Sequence, residues 1–203
     1  MKNNKIILIV FILVALVQLY VPAKMILDRE DILATGKEFK FKTMPIDPND
    51  PFRGKYIILR FDNNEYTLKE DDNKEWKRDE TIFAILNVDN EGFVFVNSIK
   101  KTKPTNEQDF FKTKIKYVYG DNNIFSNKVV KNTKKVAIDF PFNRFYMEET
   151  KAYDAELAYR EMESREKKPT YALVNIKNGE AVLKDVIIND TSVVEIVRRR
   201  QNK

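Results

Sequence analysis

Residues 171–188 read YALVNIKNGEAVLKDVII. Two runs rich in Val, Leu and Ile meet at Asn178-Gly179, the dipeptide best suited to the positive φ angles of a type I′ turn. The spacing predicts a hairpin that pairs Tyr171–Lys177 with Glu180–Ile188. A long apolar ribbon of this kind needs other strands to cover it, so the fold class is set here as mainly β.

Working outward, period two recurs. In FFKTKIKYVY, Phe111, Thr113, Ile115, Tyr117 and Tyr119 fall on one face and Lys112, Lys114 and Lys116 on the other. In KYIILRF, Ile57, Leu59 and Phe61 face one way and Tyr56, Ile58 and Arg60 the other. Thr81–Val88 is apolar on both faces, which predicts a central strand. The loop DNEG then returns the chain to Phe93–Ile99 as a second hairpin. Lys134–Phe140 and Ser192–Val197 complete the predicted strands. Lys69–Asp79 and Gly120–Lys134 read as long polar loops. One helix interrupts the pattern near 151–167, with Ala152, Ala155, Tyr159 and Met162 as its buried stripe.

The N-terminus follows a different rule. Lys2 and Lys5 precede an apolar run from Ile6 to Val17, and apolar character resumes after Gln18 through Ala23. As a helix, Ile6–Ala23 spans roughly 27 Å, close to the thickness of a bilayer core. Beyond it, Lys24 and Arg29 are offset by Asp28, Glu30 and Asp31. The positive-inside rule then places the N-terminus in the cytoplasm and the bulk of the chain outside. Pro22 can kink this helix, and Gly36 is a natural stop. The rival reading is a cleaved signal peptide ending near Val21-Pro22-Ala23.

Composition closes off several functions. Hydrophobic residues make up 43% and charged residues 33%, which suits a folded domain rather than a disordered tail. The net charge of +5 comes from interspersed acids and bases and is no argument for nucleic acid. The chain has no Cys and no His. This removes disulfides, thiolate and imidazole metal sites, cysteine nucleophiles and Ser-His-Asp triads. No spacing selects a metal site or calls for a cofactor, and no catalytic residue is assigned. The segment Thr43-Met44-Pro45-Ile46 places a Thr where a membrane-anchored serine hydrolase has its nucleophile, and none of the serines sits in a G-x-S-x-G elbow.

The most unusual stretch is PIDPNDPFRGKYIILRF, Pro45–Phe61. Asp47-Pro48 and Asp50-Pro51 favour turns and resist helix. Gly54 permits a positive φ or a close backbone approach, and Arg53 can hold a carboxylate with two prongs. These residues resemble the GDYXXLXY family of membrane-anchored proteins through Asp47-Pro48, Asp50, Arg53-Gly54, Tyr56, Leu59 and the aromatic Phe61. A second family segment resembles NRFYMEET through Arg144, Phe145, Tyr146 and Glu149. Lys55 stands where the family has Asp, and Glu148-Glu149-Thr150 where it has Pro-Glu-Gly. The resemblance implies an anchor, an outward-facing domain and a multi-spanning membrane protein as partner. It implies no activity.

The bland reading of Arg53, Tyr56, Arg144 and Glu149 is a structural knot, in which an arginine meets Asp50 or Glu149. The sharp one is a surface site. Lys112, Lys114 and Lys116 read either as an anionic-surface site or as a solvated or edge-protecting face. Arg198-Arg199-Arg200 reads as a frayed basic tail. The expectation is therefore an α+β chain of mainly β character. Residues 1–5 are cytoplasmic, 6–27 form a transmembrane helix in the lipid bilayer and 28–36 end that helix. Residues 37–203 form one antiparallel domain, a partly closed barrel or a two-layer sheet. Its expected role is a non-enzymatic interaction module. The alternative is an envelope glycan or peptide hydrolase using carboxylates near Asp47–Arg53.

Overall fold

A computed structural model describes residues 2–43, 56–62, 64–69, 75–105, 108–120, 134–146 and 169–201. It opens with one continuous helix, α1 (Lys2–Thr35), through Pro22. Its 34 residues correspond to about 51 Å. The apolar segment has no amphipathic stripe and buries nothing within the protein. A helix apolar on all sides is matched to lipid or to a core, and here the domain covers none of it. By length and composition it is a candidate membrane span or a signal sequence.

The strands follow as β1 (Lys37–Lys42), β2 (Tyr56–Ile58), β3 (Glu65–Thr67), β4 (Thr81–Val88), β5 (Val94–Lys100), β6 (Phe110–Gly120), β7 (Lys134–Asp139), β8 (Arg144–Tyr146), β9 (Tyr171–Lys177), β10 (Glu180–Ile188) and β11 (Thr191–Ser192). A short helix, α2 (Val193–Gln201), comes last. Every strand pair is antiparallel. One sheet runs β1-β9-β10-β11, a second β3-β7-β6-β4-β5, and β2 pairs with β8. A parallel bridge between Lys40 and Phe93 joins β1 to the start of β5. The Lys112 amide donates to the Gly179 carbonyl at 2.8 Å, tying the β9–β10 turn to β6. The two sheets thus curl into one nearly closed, barrel-like wall.

The decisive hairpin forms as expected. Asn178 and Gly179 have φ of 55° and 91°, the signs a type I′ turn requires. Phe110 packs against the turn, 2.5 Å from where a Cβ on Gly179 would lie. The β4–β5 hairpin also forms, with Asp89 Oδ1 accepting the amides of Glu91 and Phe93. As its apolar faces predict, β4 lies between β5 and β6, burying Ile82, Ala84, Ile85 and Leu86.

The interior has two ends. The larger is a nest of phenylalanines: Phe41, Phe61, Phe111, Phe140 and Phe142 have ring centroids 4.6–6.2 Å apart, at tilted or edge-on angles. Aromatic quadrupoles favour such arrangements over face-to-face stacking. The smaller end gathers Leu68, Trp76, Ile82, Ile99, Ile115, Val136 and Ile138.

Three expectations are corrected. Ser192–Val197 is not a strand. Its apolar residues Val193, Ile196 and Val197 are buried at i, i+3 and i+4, a helical period. Ser192 Oγ accepts the Val194 amide at 3.2 Å, and Glu195 follows three residues after Ser192, which is a capping-box order. The Arg198–Arg200 segment belongs to this helix rather than to a frayed tail, with Arg198 and Arg199 exposed on it. Tyr117 and Tyr119 do not share the inner face of β6. A bulge between Ile115 and Tyr117 turns both outward, leaving them 49% and 39% exposed. The helix expected near 151–167 lies outside the described residues.

Candidate functional site

The two motif segments, far apart in sequence, are neighbours in space. In the β2–β8 pair Tyr56 stands opposite Tyr146, Ile57 opposite Phe145 and Ile58 opposite Arg144. The Leu59 amide extends the ladder to the Asn143 carbonyl at 2.8 Å. Alternation then divides the residues. Leu59, Phe61 and Phe145 point into the phenylalanine nest, each under 9% exposed. Ile58, Arg144 and Tyr146 stand on the exposed side. Leu59 and Phe61 are therefore core residues of the motif, and Arg144 and Tyr146 surface ones. Asp47, Asp50, Arg53, Gly54 and Glu149 lie outside the described residues, as does the expected pairing of an arginine with Asp50 or Glu149.

Thr43, the residue in the nucleophile-like position, is 5% exposed. Its amide and its hydroxyl both reach the Thr170 carbonyl at 3.0 Å. A hydroxyl committed to a backbone carbonyl, with no imidazole in the chain to activate it, is a structural group. Among the described residues no three of Asp, Glu, Cys and His converge as metal ligands. A recess of about 10 Å³ lined by Phe41, Phe61, Val94, Val96 and Phe140 has room for no more than a water molecule.

The lysine stripe is real. Lys112, Lys114 and Lys116 are exposed, while Phe111, Thr113 and Ile115 between them are buried. The buried Thr113 satisfies its hydroxyl by donating to the Asp139 carbonyl. β6 sits between β4 and β7, so these lysines do not guard a sheet edge.

A third feature escaped the sequence reading: the joint between α1 and the sheet. Ile32 is 8% exposed, and the helix ends when the Gly36 amide donates to the Ile32 carbonyl at 2.8 Å. A Cβ on Gly36 would lie 2.5 Å from that carbonyl oxygen and 3.2 Å from the Ile176 oxygen, so no larger residue fits. Asn175, 4% exposed on β9, donates from Nδ2 to the Leu33 carbonyl at 2.8 Å. It thereby caps a helix end that would otherwise carry orphan acceptors. Lys177 Nζ lies 2.6 Å from Asp31 Oδ2 and 2.7 Å from Thr35 Oγ1. The only residue between α1 and β1 is Gly36, so helix and domain are directly coupled. An Asn in a run of apolar strand residues was the available signal.

A polar clasp was also missed. Lys101 Nζ sits 2.6 Å from Glu80 Oε1 and 5.1 Å above the Trp76 ring, fastening the turn before β4 to the end of β5. The Lys101 ammonium, as hydrogen-bond donor, holds the Glu80 carboxyl below the ordinary glutamate range. Trp76, the single Trp of the chain and 7% exposed, pins residues 75–79 to the smaller end of the core.

No curated protein and no solved structure matches the chain. A sequence profile described as GDYXXLXY protein matches residues 18–186, from the middle of α1 through most of β10. With most of its length covered and its two motif strands paired side by side, the chain belongs to the GDYXXLXY family.

Proposed function

We propose that the chain is a membrane-anchored interaction module, with its N-terminus in the cytoplasm, α1 across the bilayer and domain 37–203 on the outer side. The module is non-enzymatic and binds a multi-spanning membrane protein. One observation carries this reading: α1 presents apolar side chains on every side, with Phe11, Leu19 and Leu27 each 68% exposed, yet its outer end is locked to β9. A signal sequence awaiting cleavage has no need of a capped, glycine-fitted joint to the folded domain. A helix that must hold the domain in a fixed attitude beside a partner does. No observation among the described residues favours the hydrolase alternative.

The test is photo-crosslinking from single positions along Leu13–Leu19 in native membranes. A discrete adduct with a multi-spanning protein is expected. Adducts with lipid or with a second copy alone would refute the partner. Recovery of a chain shortened at Ala23 would refute the anchor.

A further inference from the structure

Several lysines of the chain have carboxylates beside them. Lys37 meets Asp109, Lys42 meets Glu91, Lys177 meets Asp31 and Lys184 meets Glu38, all within 3.1 Å. The outer face of β6 differs. Lys112 and Lys114 form no ion pair among the described residues, and Lys116 has the Tyr117 ring at 5.9 Å. The acid in register with this stripe is Asp139, opposite Lys114. The bulge after Ile115 brings Tyr117 and Tyr119 out on this face, and the Arg78 guanidinium lies 5.4 Å from the Tyr117 ring. Cations with long apolar stems beside half-exposed tyrosines make a side-chain mixture suited to lipid headgroups.

The position of the face agrees with its chemistry. The Lys112 amide is bonded to the Gly179 carbonyl, two residues beyond Lys177, which grips Asp31 and Thr35 of α1. Asp31 is four residues past Leu27, a rise of roughly 6 Å. The stripe therefore begins at the end of the domain from which α1 leaves. A tether this short keeps the headgroups at high effective concentration.

We propose that the outer face of β6, through Lys112, Lys114, Lys116, Tyr117 and Arg78, docks on the anionic phosphate headgroups of the bilayer that holds α1. This rests on the reading of α1 as a membrane anchor. The attraction is electrostatic and is screened within roughly 8 Å at physiological salt.

The absence of cysteine allows a clean test. Thr81, exposed and opposite Lys114, is replaced as Thr81→Cys and spin-labelled in the full chain. The chain is placed in nanodiscs of phosphatidylcholine, with or without phosphatidylglycerol, carrying a nickel chelate at the headgroup. Relaxation of the label by nickel should be several-fold stronger in the anionic discs. The gain should vanish in high salt and in the variant Lys112→Gln/Lys114→Gln/Lys116→Gln. Retention of the chain in both discs with equal relaxation would overturn this inference and leave the anchor intact. Loss of the chain from both would overturn the anchor and the inference with it. A change at the label on adding polyphosphate to neutral discs, with none on adding phosphatidylglycerol, would assign the face to a soluble polymer instead.

Discussion

Replacing Gly36 with alanine tests the joint at its tightest point. The added Cβ would sit 2.5 Å from the Ile32 carbonyl oxygen, 3.2 Å from that of Ile176 and 3.3 Å from Asn175 Cβ. Two of these are backbone atoms and cannot rotate aside. Relief requires the last turn of α1 to back away from β9, lengthening the 2.8 Å bond from Gly36 to Ile32. Overpacking of this kind costs about 1–3 kcal/mol. The weakened hydrogen bond adds about 1 kcal/mol. For a chain of this size a loss of about 3 kcal/mol lowers the melting midpoint by roughly 6–12 °C. The assay is a thermal melt of the full chain in detergent, followed by circular dichroism. Gly92→Ala is the reference: it meets nothing within 4 Å and pays only for a φ of +85°. That strain is about 1–2 kcal/mol, so its shift should be smaller. A Gly36→Ala midpoint equal to that of the wild type would mean that α1 does not pack on β9 as described.

Phe140→Ala removes a ring in contact with Phe41, Phe61, Phe111 and Phe142, and should cost about 3–5 kcal/mol in a chemical-denaturation series. Along β8, Phe145→Ala should destabilise by about 3 kcal/mol or more, because that ring is 8% exposed. Arg144→Ala, on the exposed side of the same strand, should cost less than about 1 kcal/mol; equal losses would contradict the alternation. Glu80 has a depressed carboxyl pKa, so its pairing with Lys101 contributes stability above the unfolded value near 4.5 and loses it as pH falls through the lower folded value. Lys101→Met should therefore flatten the acid limb of a stability–pH curve below about pH 4.5, and an unchanged limb would mean the pair is not formed in solution.

The strands were legible wherever a period of two met a strong turn. Asn178-Gly179 set one hairpin, and the two-sided apolar run of Thr81–Val88 placed β4 inside its sheet. The alternation in KYIILRF correctly put Leu59 and Phe61, both buried, on the face opposite Ile58, which is exposed. What misled was local. Val193, Val194, Ile196 and Val197 favour a strand by β-branching, but the cap at Ser192 and the i, i+3, i+4 burial make a helix. The bulge at Ile115 cannot be read from alternation, because one extra residue preserves the pattern on either side and reverses its facing. KEFKFK was overlooked as a strand, although Phe39 and Phe41 alternate with lysines and fill the core as β1.

The candidate site was legible only in part. The residues of Pro45–Phe61 singled out the first motif segment and the family resemblance the second, and their pairing as β2 and β8 brings two distant stretches together. The joint at Asn175 and Lys177 left one local signal, the Asn within an apolar strand run, and its partners lie more than 140 residues away in sequence. The partner in a tertiary contact of that range is not written in the local pattern.

The most direct test of the account is a distance between α1 and the domain. Arg29→Cys and Asp62→Cys, both at exposed positions, would carry a pair of spin labels in the full chain in nanodiscs. A rigid joint predicts a single narrow distance distribution, broadened when Gly36→Ala and Asn175→Ala are introduced together. A broad distribution in the unmodified chain would contradict it, and with it the reading of α1 as a fixed anchor for the domain.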